Sequence, residues 1–193
     1  MKTVIVKKNE YGEKYPLKEV LQGKDTTLQT NFSACYTESA IKVRFEAEIG
    51  KPLYTRNHGA QVVVWESDCM EVFLSPYADE ENYFEFDLAP DGSYYFAKIF
   101  NPDGLSARPT PIETKGLIAT TKVTEKLWVM EMEIPFSLMV KKEDLERVQE
   151  LPWRFNAYRI DDGNQEFQSL SPTGVHHKIT FHVPKAFGKL QFE

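Results

Sequence analysis

A flat aromatic ring beside a fixed hydrogen-bond acceptor suits a polyhydroxylated ligand, and one stretch of this chain carries both. It reads Trp65-Glu66-Ser67-Asp68-Cys69-Met70-Glu71-Val72-Phe73-Leu74. Taken as a strand from Cys69, its period-2 alternation sends Met70, Val72 and Leu74 to one face and Cys69, Glu71 and Phe73 to the other. Glu71 is then an acid in mid-strand, with Trp65 on the loop before it. A sugar has apolar faces that stack on rings and hydroxyl edges that bond acceptors, so the pairing predicts saccharide binding.

Further candidates lie downstream. Glu85 and Asp87 share one face of their strand with Tyr83. If that strand neighbours residues 69–75, three acids crowd together and call for a cation, which Arg44 or Arg159 could supply through a bidentate guanidinium. Asn156 and Arg159 are hydroxyl partners on a later strand, and His176 and His177 occupy a loop where an imidazole can stack on a sugar or bond it. Asp161-Asp162-Gly163-Asn164 has the oxygen donors of a calcium loop but not the full spacing, and reads first as a hairpin turn. Paired acids are also the apparatus of glycoside hydrolysis. Glu85 and Asp87, two apart on one strand face, stand closer than the roughly 5 Å that retaining chemistry needs. No Gly-rich phosphate loop, Ser-His-Asp order or zinc-ligand spacing appears, so intrinsic catalysis is not expected.

The elements that must position these residues alternate throughout. Ile41, Val43, Phe45, Ala47 and Ile49 oppose Lys42, Arg44, Glu46 and Glu48; Phe84, Phe86 and Leu88 oppose Tyr83, Glu85 and Asp87; Trp128, Met130, Met132 and Ile134 oppose Val129, Glu131 and Glu133. Residues 94–100, 117–123, 153–160, 166–170 and 187–192 are further strands, with turns at Pro90-Asp91-Gly92, Asn101-Pro102-Asp103-Gly104 and Asp161 to Asn164. Only 135–139 and 142–149 read as helical. The pattern predicts an all-β fold: a two-sheet antiparallel β-sandwich with jelly-roll-like connections, an immunoglobulin-like sandwich being the alternative topology. Residues 50–64 and 101–116 are expected as long loops, which in a compact sandwich tend to carry function.

The 193 residues are read as one domain, 1–193, large enough to bury roughly 70% of the unfolded surface. Aromatics make up 13%, favouring strands. A net charge of −6 disfavours nucleic acid and anionic membrane as partners. Cys35 and Cys69 are expected as reduced packing residues. No run approaches the about 20 apolar residues of a membrane span, and the N-terminus lacks a signal-peptide pattern. As written, the chain is expected in the cytoplasm, or outside the cell if a leader has been removed.

The order Trp65-x-x-Asp68-Cys69-x-Glu71-Val72-Phe73-Leu74, Tyr83-Phe84-Glu85-Phe86, Trp128-x-x-Glu131-x-x-Ile134-Pro135, Trp153-Arg154-Phe155-Asn156-Ala157-Tyr158-Arg159, Leu170-Ser171-Pro172-Thr173 and Phe181-His182-x-Pro184-x-x-Phe187-Gly188-x-Leu190 resembles the family 9 carbohydrate-binding modules. The resemblance covers roughly residues 20 to 192. It implies a sandwich of the DOMON-like superfamily that binds saccharide without catalysing anything, in association with polysaccharide catabolism. In such modules two tryptophans sandwich a sugar while an acid, an arginine and an asparagine bond its hydroxyls, and structural calcium occurs. Trp65 matches the first ring and Glu71 the acid. Asp87 stands where the arginine would lie, Ser169-Leu170-Ser171 where Ser-Trp-Ser is common, and the second tryptophan has no counterpart in 173–182. The superfamily implies a second reading, a haem-binding electron-transfer domain with axial ligands drawn from His58, His176, His177, Met70 and Met139. A third is a ligand-less sandwich whose partner is a protein. No cofactor is expected beyond structural calcium.

Overall fold

The computed structural model describes residues 2–104, 106–174 and 179–193. His176 and His177 lie outside the described residues. Among the described residues the strands are β1 Thr3–Lys8, β2 Tyr15–Pro16, β3 Lys18–Glu19, β4 Thr30–Tyr36, β5 Ala40–Glu48, β6 Cys69–Ser75 and β7 Asn82–Leu88. They continue as β8 Tyr94–Phe100, β9 Arg108–Pro111, β10 Ile118–Val123, β11 Leu127–Pro135, β12 Arg154–Asp161, β13 Glu166–Ser169 and β14 Gly188–Phe192. The segments expected as helical are short 3-10 turns, Phe136–Leu138 and Lys142–Glu150.

Two sheets result. The front sheet runs β14-β12-β6-β7-β8-β9, with β13 and β3 continuing beside β12; the back sheet runs β10-β11-β5-β4, with β2 on β4. These ladders are antiparallel. β1 departs from the rule. Its residues Thr3–Val6 pair in parallel with β14 of the front sheet, and Lys7 and Lys8 pair in parallel with β4 of the back sheet. Residues 101–116 are not loop throughout, because β9 extends the front sheet at its far edge.

The alternation read from the sequence sets the layers. Met70, Val72 and Leu74 of β6 meet Phe32, Val43, Phe45, Met130 and Met132 between the sheets. The opposite face of the front sheet is buried too. Phe73, Tyr83, Tyr95, Ala97 and Tyr158 form a second apolar layer with Val64, Phe181 and Phe187 from covering segments. β6 is consequently buried along its whole length. Gly188 explains the close seating of β1: a Cβ there would stand 2.6 Å from the Lys2 carbonyl oxygen.

Candidate functional site

The second layer is where the acids lie. Register places Tyr158 of β12, Glu71 of β6, Asp87 of β7 and Tyr95 of β8 side by side across four strands. In the next row Asn156, Phe73, Glu85 and Ala97 are aligned in the same way. One oxygen each of Glu71, Glu85 and Asp87 lies within 4.8 Å of the others. The three side chains belong to residues exposed by only 2%, 5% and 0%.

Above this floor a cleft of about 830 Å³ opens, lined by Trp65, Glu71, Phe73, Glu85, Tyr95 and residues of 104–109 and 179–183. Trp65 is 39% exposed and sets its ring edge-on to Tyr95, with centroids 5.1 Å apart. The polar residues around the ring position it. Asp68 is buried and accepts from the Tyr54 amide at 2.7 Å and the Asp162 amide at 3.1 Å, tying the loop to the end of β12. Ser67 Oγ accepts from the Arg56 amide, the Ser67 amide donates to the Val64 carbonyl, and Arg56 pairs with Glu66. Gln61, at a positive φ of 54°, bonds the backbone of Phe96 and Ile112 and so pins the loop over β8 and β9.

On the other side the segment at 181–182 folds over the sheet. Phe181 stacks on Tyr158 with centroids 4.3 Å apart, and the Tyr158 hydroxyl donates to the Phe181 carbonyl. Tyr83 and His182 share a 2.8 Å hydrogen bond, and Asn101 bonds both the Tyr83 hydroxyl and the His182 carbonyl. His182 Nε2 stands 4.0 Å from Glu85, but burial lowers the imidazole's pKa to about 4, so at neutral pH it offers no charge. Phe181 and His182 also line the cleft.

No basic side chain among the described residues relieves the three acids. Burial raises Glu71 and Asp87 well above the carboxylate range, with Glu85 adding to both, and burial lifts Glu85 to about 7. Glu71 Oε1 and both oxygens of Asp87 are buried without a hydrogen-bond partner, apart from a proton shared between Glu85 and Asp87. Like charges this close resolve themselves by protonation unless a cation arrives.

The two arginines expected to answer them lie elsewhere. Arg44 is on the outer face of the back sheet, paired with Glu46 and Glu131. Arg159 is a correction to the predicted site. It shares its strand face with Phe155 and Ala157, so it points between the sheets, donating to Thr30 at 3.0 Å and pairing with Asp161 at 3.2 Å. Asn156 is on the cleft face but is consumed by the fold: its amide donates to Tyr158 and the Ser171 carbonyl and accepts from the amides of Ala157 and Ser171. The structure sets Trp65, Glu71, Glu85 and Tyr95 around the cleft, places Asp87 fully buried beside the other two acids, and leaves Arg159 out.

Among the described residues, those named by the other readings lie outside this cleft. Asp161 uses its carboxylate on the Asn164 amide groups and Arg159, the hairpin-turn arrangement. Met70 and Met139 are in the core between the sheets, while His58 pairs with Asp91 on the surface. Cys35 and Cys69 are both free and buried. No helix among the described residues is long and apolar enough to cross a membrane.

Comparison with known proteins agrees with this architecture. An extracellular protein of Arthroderma benhamiae is 25% identical over 178 residues, covering 85% of this chain and 78% of the relative. A Bacteroides uniformis protein assigned to carbohydrate binding superposes with a TM-score of 0.76 at 22% identity, over 100% of this chain and 99% of that one. A family 9 carbohydrate-binding module from Caldicellulosiruptor kristjanssonii, solved with cellotriose, superposes with a TM-score of 0.63 at 12% identity, over 100% of this chain and 94% of the module. The same type of module solved with glucose gives 0.62 at 11%, over 100% and 96%. The sequence profile of carbohydrate-binding family 9 matches residues 13–192, and the chain belongs to that family.

Proposed function

We propose that this protein binds a saccharide, without transforming it, in the cleft between Trp65 and the carboxyl floor of Glu71 and Glu85. The observation that carries the reading is Trp65 itself: a large ring, 39% exposed, held at the rim of an otherwise well-covered apolar layer. A pyranose face stacked there would set its hydroxyl edge toward Glu71, which has an oxygen with no protein partner. The complexes of related modules with cellotriose and glucose support a glycan unit as ligand. At about 0.4 kcal/mol per heavy atom, a single sugar ring of about a dozen heavy atoms binds with a Kd on the order of 0.1–1 mM.

Hydrolysis is not part of the proposal. Three acids packed within 4.8 Å and biased toward protonation lack the separated acid and ionised nucleophile of a glycosidase. A setting outside the cell is supported by the extracellular relative. One sandwich domain spanning the chain would suffice for the whole activity.

The test is tryptophan fluorescence titrated with mono- and oligosaccharides on wild type and Trp65→Ala. Trp128 and Trp153 are buried and bonded to Thr121 and Val148, so a saturable change lost in the variant would place the sugar on Trp65. Equal binding by both proteins would overturn the reading.

A further inference from the structure

The carboxyl floor has a property that a neutral sugar does not answer. Three acceptors converge, and the described residues supply neither a cation nor donors to match them. The neighbouring titratable groups are no help: Tyr158 from β12, Tyr95 from β8, Cys69 from β6, Tyr83 from β7 and His182 from the covering segment. Burial pushes the phenols and the thiol up and His182 down, so all five are neutral at pH 7. A positive charge that would let the trio ionise has to come with the ligand.

Its chemistry can be read from the walls. An ammonium can donate to three oxygens at once, and one oxygen of each acid lies within 4.8 Å of the others, close enough for a single donor group to reach all three. Beside it stand the rings of Phe73, Tyr95, Trp65 and Phe181, surfaces that favour an organic cation. A calcium ion would want six to eight oxygens, whereas these walls offer rings.

Building on the saccharide reading above, we infer that the preferred ligand is an amino sugar, its protonated amine seated among Glu71, Glu85 and Asp87 while its ring stacks on Trp65. The amine brings three N–H donors and one positive charge to a site with three acceptors. The buried Glu71 Oε1, without a donor from the protein, is the strongest sign of it. N-acetylation would remove both the charge and two of the donors.

The decisive experiment compares glucosamine oligomers, their N-acetylated counterparts and cello-oligosaccharides of equal length by calorimetry, on wild type, Asp87→Asn and Glu85→Gln, with EDTA present. The expected result is at least about tenfold tighter binding of the glucosamine oligomers than of either neutral sugar near pH 7, where the amine carries its proton, with the preference lost in both variants. Equal or tighter binding of the neutral sugars would overturn the amino-sugar inference and leave saccharide binding intact. Binding that needs added calcium would also overturn it, assigning the trio to a metal. No binding of any sugar would remove both readings. If Asp87→Asn fails to fold, Glu85→Gln and the wild-type comparison decide.

Discussion

Glu71 and Asp87 face each other as a directly opposed pair on β6 and β7, and neither meets a basic side chain among the described residues. Like charges in that position repel across the ladder. Burial and mutual repulsion raise both carboxyls and so favour their protonated forms.

Stability should therefore fall as pH rises. Unfolded Glu and Asp release their protons near pH 4, whereas the folded trio keeps them to higher pH, about 7 for Glu85. Between those values the native state binds more protons than the unfolded state, so the unfolding free energy declines with rising pH. Thermal melts without ligand should give a higher Tm at pH 5 than at pH 8. Asp87→Asn and Glu85→Gln should flatten that slope, and an unchanged slope would refute the assignment.

Arg159 should matter to the fold and not to the ligand. Removing it strands buried Asp161 and Thr30, so Arg159→Ala is expected to cost about 3–5 kcal/mol. Urea unfolding reads the loss, while calorimetry on the folded protein should find the saccharide Kd unchanged. A weakened Kd would return Arg159 to the site.

Both thiols should be silent in the native state. Cys35 and Cys69 are buried, and burial raises both above the ordinary thiol pKa. A thiol reagent at pH 8 should titrate neither in the folded protein and both in denaturant. Fast reaction of either before unfolding would contradict the described packing.

Gly188→Ala should loosen the contact between β1 and β14. The added methyl meets the Lys2 carbonyl at 2.6 Å, and relieving it should cost about 1–3 kcal/mol. A lowered Tm with unchanged sugar affinity is the expected pair of results.

The strands were largely legible because alternation leaves a strong trace where one face is apolar. β5, β7, β8 and β11 fall within a residue of their expected limits. β1 and β4 escaped notice: Lys7 and Lys8 obscure the first, and Thr30, Asn31 and Ser33 give the second no apolar rhythm. At the site, Trp65 and Glu71 could be read because ring and acid are adjacent in sequence. Arg159 failed on parity, for residues 156 and 159 of one strand cannot share a face. Period 2 alone contained that answer. Phe181 and His182 could be read as part of a motif but not as cleft residues, since their return over the front sheet is a tertiary event made by Tyr158 and Tyr83.

The parallel pairing of β1 with β14 also decides how the domain carries load. Tension applied at residue 2 and residue 193 pulls the two strands lengthwise in opposite directions, with Thr3, Val4, Ile5 and Val6 registered against Lys189, Leu190, Gln191 and Phe192. The rungs must then break together rather than peel one at a time. A module tethered to a polymer in flow would be gripped by its strongest mechanical geometry, a shear clamp closed by its two outermost strands.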